Sequence, residues 1–183
     1  MVGSRAVSAL STTAQVRRRG TALAASILAA LFSVGAAIGI LTERLVPAAV
    51  LVGAAGAGLL LGAVLSHGGR LLRERTLDSF VDRWFDGVVL GSIVWTQRPD
   101  ASFGSAAALV AMSASFLGSY IRARGNSLDY RIEESMLTRA VRYALIVLAL
   151  LFDLHPWLLW TLAAVMLLAA FVRLSQVAKE ERA

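Results

Sequence analysis

Asp78, Asp82 and Asp86 recur at four-residue spacing between Thr76 and Gly87. On a helix each step of four turns the side-chain direction by about 40°, so all three share one broad face. Like charges at this spacing repel. Carboxylates in or near a bilayer are costly and point to function by default. A divalent cation offsets both costs. Hard cations such as Mg²⁺ or Mn²⁺ take carboxylate oxygens and pair with substrate phosphates. The alternative is that Asp78 and Asp82 lie in headgroup water and pair with Arg75 and Arg83. Asp86 lies a further turn in and reads as a buried polar contact rather than a ligand.

A second group is basic. Ser119-Tyr120-Ile121-Arg122-Ala123-Arg124 closes one apolar run, and Arg139 and Arg142, three apart, open the next. Arginine forks onto phosphate oxygens with geometric specificity. These four arginines therefore suit a phosphorylated ligand. The alternative is four anchors that snorkel to the membrane surface.

The elements that must position these groups are membrane helices. The chain has 183 residues, 57% hydrophobic and 16% charged, with a mean hydropathy of +0.69. That is too apolar for a disordered chain and unusual for a soluble domain. With no Cys there is no disulfide, thiolate metal site or cysteine nucleophile, and His67 and His155 alone exclude a multi-histidine site. Runs near the length of a bilayer span cover Thr21–Leu41, Pro47–Ser66, Leu77–Trp95, Phe103–Tyr120, Ala140–Phe152 and Trp157–Val172. Asp153-Leu154-His155-Pro156 forms a tight turn before the last of them. The first run is longer than a signal-peptide core, and Thr42-Glu43-Arg44 does not resemble a cleavage site.

Six spans place the charges asymmetrically. One side receives Arg17, Arg18 and Arg19, then Arg70, Arg73 and Arg75, Arg122 and Arg124, Arg139 and Arg142, and Arg173; the other receives Arg44 and Arg98. The basic side is expected to be cytoplasmic, with both termini inside. The predicted fold is all-α: a polytopic membrane protein with six transmembrane helices. Residues 1–20 form a basic juxtamembrane segment with a short interfacial helix, 21–175 the membrane domain and 176–183 a charged tail. Gly35-x-x-x-Gly39, Gly58-x-x-x-Gly62 and Gly87-x-x-x-Gly91 are expected to serve close packing within one bundle.

Taken together, these segments resemble the CDP-alcohol phosphatidyltransferase family, most nearly its phosphatidylinositol phosphate synthase branch. The family signature reads D-x-x-D-G-x-x-A-R, a spacer, then G-x-x-x-D-x-x-x-D. Asp78 and Asp82, within Leu77-Asp78-Ser79-x-x-Asp82-Arg83-x-x-Asp86-Gly87, match its second half. Ser119-Tyr120-x-Arg122-Ala123-Arg124 and Arg139-x-x-Arg142 are similar to later segments of that branch. The first half departs from the pattern. Gly69 and Arg73 match, but Leu65 and Gly68 stand where the first two aspartates belong, and Glu74 takes the place of a glycine.

The resemblance implies a multi-pass protein of a bacterial-type plasma membrane that serves phospholipid biosynthesis, with its site on the cytoplasmic side. It implies Mg²⁺ or Mn²⁺ at Asp78 and Asp82, with Glu74 as a substitute ligand, and Asp82 as the base that deprotonates an alcohol. Gly69 and Arg73 would contact the nucleotide. Arg122, Arg124, Arg139 and Arg142 would contact the acceptor, such as inositol phosphate. The reaction would move a phosphatidyl group from a CDP-diacylglycerol-type lipid to the alcohol and release CMP. A homodimer or heteromer is implied too. With two of four signature aspartates replaced, the competing expectation is a non-catalytic member that binds a lipid or nucleotide, or partners an active enzyme. A transporter fits less well, because the acids lie toward one end of a helix rather than at mid-membrane. Nucleic acid is not an expected partner, since no recognition module accompanies the arginines.

Overall fold

The computed structural model describes residues 2–65, 72–97, 103–130, 132 and 135–180; the side chains of residues 2–19, 22, 65, 72–76, 78, 179 and 180 lie outside that description. The described residues form six helices and no strand: α1 Val2–Leu41, α2 Leu45–Leu65, α3 Leu72–Thr96, α4 Phe103–Ser127, α5 Met136–Leu151 and α6 Pro156–Glu180. Residues 2–20 continue α1 without a break rather than forming a separate short helix.

Four of these helices are long and apolar enough to cross a membrane: Leu23–Leu41 in α1, Leu45–Val64 in α2, Phe103–Ser127 in α4 and Pro156–Ala178 in α6. α3 carries Asp82, Arg83 and Asp86 within its length. α5 has 16 residues, about 24 Å at 1.5 Å per residue, against a hydrocarbon core of about 30 Å.

The helices pack in a closed cycle of seams. α1 lies against α2 and α3, α2 against α5, α5 against α6, α6 against α4, and α4 against α3. In that order α3 and α5 face each other across the bundle. Small residues make the seams tight. α4 buries Gly104, Ala107, Ala108, Ala111, Ala114, Ser115 and Gly118, a stripe at helical spacing. Gly35 and Gly39 approach Leu51 and Ala48 of α2, and Gly58 and Gly62 approach Ala25 of α1. These two glycine pairs therefore serve one internal seam.

Large apolar side chains point the other way. On α1, Leu23, Ile27, Leu31, Val34, Ile38 and Leu41 form an exposed stripe. Small residues inside and large ones outside is the pattern of a bundle whose close approach comes from backbone packing rather than from hiding its leucines. The interior is filled by Phe85, Val89, Leu90 and Ile93 of α3, Ile146 and Leu150 of α5, and Leu159 and Leu162 of α6.

Three connections use one device. Arg44, Tyr130 and Leu154 each donate a backbone N–H to the carbonyl five residues back, at Gly39, Gly125 and Ala149. The preceding residues, Glu43, Asp129 and Asp153, take left-handed φ values of 59°, 64° and 50°. This is the capping geometry that often carries glycine; aspartate tolerates it through its short polar side chain. The last of these caps forms the turn read from the sequence at Asp153-Leu154-His155-Pro156.

Gly56 on α2 decides where α5 can lie. A Cβ built there would come 2.7 Å from Cγ of Tyr143. That atom is the root of the ring and cannot swing aside. Gly56→Ala should therefore destabilise the protein by about 1–3 kcal/mol, the usual range for overpacking, and displace the Tyr143 ring. Thermal unfolding in detergent and Tyr143 fluorescence quenching would measure the two effects; an unchanged melting temperature would contradict the close approach.

Candidate functional site

Two aspartates of α3, one turn apart, define the site. Asp82 and Asp86 are both fully buried. Two unpaired carboxylates there would be held apart from water at a cost of several kcal/mol each. The fold answers with two guanidiniums. Arg142 of α5 sends Nη2 to Asp82 Oδ1 at 2.5 Å and Nη1 to Asp86 Oδ2 at 2.8 Å. Arg83 of α3 contacts Asp82 Oδ2 through Nη2 and lies 3.0 Å from Asp86 Oδ2 through Nη1. The formal charges of the four groups cancel.

Neutral groups complete the network. The Tyr143 hydroxyl donates to Asp82 Oδ1 at 2.7 Å and accepts from Arg142 Nη2 at 2.9 Å. Ser115 of α4 donates its hydroxyl to Asp86 Oδ2, and its backbone carbonyl accepts from Arg83 Nη1 at 2.8 Å. The Phe85 ring meets the Tyr143 ring edge-on at 5.1 Å, which holds the phenol against α3. Helices α3, α4 and α5 thus meet in one buried polar knot.

The spacing explains the geometry. Residues four apart on a helix are neighbours on one face. That spacing makes Asp82 and Asp86 repel, and it also presents two oxygens to one planar fork. A lysine ammonium, a single point charge, has no such fork. Asp86 is the buried polar contact that its depth implies. Asp82 is inside the bundle rather than in headgroup water, although one of its partners is the neighbouring Arg83.

The remaining sequence candidates fall in several places. Arg122 of α4 reaches Ser79 of α3, Nη2 to Oγ at 3.3 Å. Arg139, half-buried one turn before Arg142, also acts electrostatically on Asp82. Arg124 is exposed near the end of α4. Arg142, read as a phosphate contact, has both of its Nη atoms committed inside the protein. Glu74, Arg73 and Asp78 lie on α3, with side chains outside the description; Asp78 precedes Asp82 by four residues. Gly68 and Gly69 lie outside the described residues.

The resemblance implies a divalent cation at Asp82. Both oxygens of Asp82 already receive protein donors, and neither has exposed surface. Among the described residues, no three His, Cys, Asp or Glu side chains converge. With Arg142 in place, the described groups do not fit a cation at this carboxylate.

Tyr143 and Ser115 are the members that sequence reasoning missed. Tyr143 adjoins Arg142 and had a signal of a kind, a lone phenol opening an apolar run. Ser115 had none, because Ser113, Ser115 and Ser119 look alike in sequence and only the fold chooses among them.

No protein-family model matches the chain, and no curated protein matches it significantly.

Tyr143→Phe removes one donor to a buried carboxylate while leaving the ring packing intact. Hydrogen bonds to charged groups contribute about 1.5–3 kcal/mol. The variant should lose about that much, whereas Tyr120→Phe, on the exposed surface of α4, should lose almost nothing. Equal melting temperatures for the two variants would refute the network.

Proposed function

We propose that the chain is a six-span membrane protein of the CDP-alcohol phosphatidyltransferase type that does not catalyse transfer. It binds a lipid or nucleotide phosphate at its basic end, or acts as a partner of an active phospholipid synthase. The observation that carries this reading is the engagement of Asp82. A base must accept a proton from an alcohol at hydrogen-bond range. Asp82 is buried, and Arg142, Arg83 and Tyr143 occupy its oxygens. The replacement of two signature aspartates by Leu65 and Gly68 points the same way.

The six-span arrangement rests on the closed cycle of seams. α3 and α5 lie between helices that are long and apolar enough to cross, and the charges of Asp82, Asp86, Arg83 and Arg142 cancel within the bundle. The arginine-rich ends of α1, α3, α4 and α5 then share the cytoplasmic side of a bacterial-type plasma membrane.

A second reading, an active transferase using Mg²⁺ or Mn²⁺, is favoured by the Leu77-Asp78-Ser79-x-x-Asp82 spacing and by Arg122 at Ser79. One titration separates the two. Detergent-purified protein should release no CMP from CDP-diacylglycerol with Mn²⁺ and inositol phosphate or other alcohols, and should bind CDP-diacylglycerol without needing Mn²⁺. Mn²⁺-dependent CMP release, abolished in Asp78→Asn and Asp82→Asn, would establish the transferase instead.

The orientation has its own test, and the absence of native cysteine makes it clean. Single cysteines at Thr42 and His155 should react with a membrane-impermeant maleimide added to intact cells. A cysteine at Ser127 should react only after permeabilisation. Labelling of all three from one side would rule out the six-span arrangement.

A further inference from the structure

We propose that the outer surface of the bundle fits a bilayer whose hydrocarbon core is about 25 Å thick, about 5 Å thinner than an ordinary one, and that two rings of aromatic side chains hold it at that thickness. The inference rests on the six-span reading and names the lipid that this surface takes.

The extent of the exposed apolar band carries it. Among the described residues the band runs from Leu23 to Leu41 on α1, Val46 to Val64 on α2 and Leu77 to Trp95 on α3. At 1.5 Å per residue each stretch is about 27 Å long. It runs from Phe103 to Tyr120 on α4 and from Trp157 to Leu174 on α6, about 25 Å each. α5, with 16 residues, measures about 24 Å in all. At the ordinary helix tilt of about 20°, a stretch of about 27 Å covers about 25 Å of depth. The six helices therefore agree on one thickness.

Aromatic rings mark both ends of the band. At one end Trp95, Phe103 and Trp157 are exposed. Phe103 meets the Trp157 ring edge-on at 6.3 Å and the Trp160 ring at 5.2 Å, which sets the starts of α4 and α6 at one level. Gln97 reaches Gly104, which brings the end of α3 to the same level. At the other end are Tyr120 and Phe80, the latter stacked on Trp84. Arg122 ties α4 to α3 there through Ser79. Trp and Tyr favour the headgroup boundary, because an apolar ring carries a polar edge. Past this second ring the surface turns polar, with Arg124, Ser175 and Gln176 exposed on α4 and α6. A core of ordinary thickness would take such groups into hydrocarbon. The lipid beside the protein must then thin, at a cost that grows with each ångström of mismatch.

The test places the full chain in phosphatidylcholine vesicles that differ only in chain length, from myristoleoyl through palmitoleoyl, oleoyl and eicosenoyl to erucoyl. Flotation reports insertion, and thermal unfolding reports fit. The melting temperature should be highest with palmitoleoyl or shorter chains and about 5 °C lower with erucoyl chains. Trp95→Ala combined with Trp157→Ala changes only exposed rings away from the buried knot. That variant should still float and should show no more than half of the difference. Wild type that floats but melts equally in every vesicle, or melts highest with oleoyl or longer chains, overturns the proposal. An undiminished difference in the double variant overturns the role given to the rings. Failure to float with any vesicle would overturn the six-span reading itself, so the two failures are told apart.

Discussion

One guanidinium bridging two carboxylates governs this bundle. In an interior with few water molecules, an isolated carboxylate is excluded by its solvation energy, and two of them on adjacent turns are excluded more strongly. Arg142 makes the pair tolerable and in doing so ties α5 to α3 across the bundle. The other features can be ordered around that requirement. Gly56 lets Tyr143 lie close to α2, and Phe85 braces its ring. The small stripe on α4 brings Ser115 near enough to reach Asp86.

The balance of energies says what the knot is for. Buried ion pairs contribute little net stability, because desolvation consumes most of the Coulombic gain, yet removing one partner costs about 3–5 kcal/mol. Such a pair therefore acts mainly as a constraint on arrangement. The seams of alanine and glycine hold by van der Waals contact, which is not directional. A fork that must meet Asp82 and Asp86 at once fixes the register of α5 against α3 to within less than a turn. This matters most where the packing is smoothest.

Much of the fold was legible in the sequence, because apolar run length and turn residues are local signals. The helices at Thr21–Leu41, Pro47–Ser66 and Phe103–Tyr120 and the Asp153 turn all correspond to observed elements. The ends were less legible. α4 runs on past Tyr120 to Ser127, and α1 begins near the N-terminus, because a helix does not have to stop where its apolar part does. The site was legible only on one strand of its logic. The four-residue spacing of Asp78, Asp82 and Asp86 identified a face that had to be neutralised. It did not say by what. A cation and a guanidinium satisfy the same electrostatic demand, and the choice depends on Arg142, some 60 residues away from Asp82 in the chain. Only tertiary structure brings that partner in.

The same ambiguity bears on how a site of this kind changes its chemistry. A cation held by carboxylates leaves open positions for water or phosphate, and those positions are where reactions occur. A guanidinium fills its bonds with fixed donors and leaves none. A guanidinium between the two carboxylates keeps a positive group there and offers no vacant coordination position.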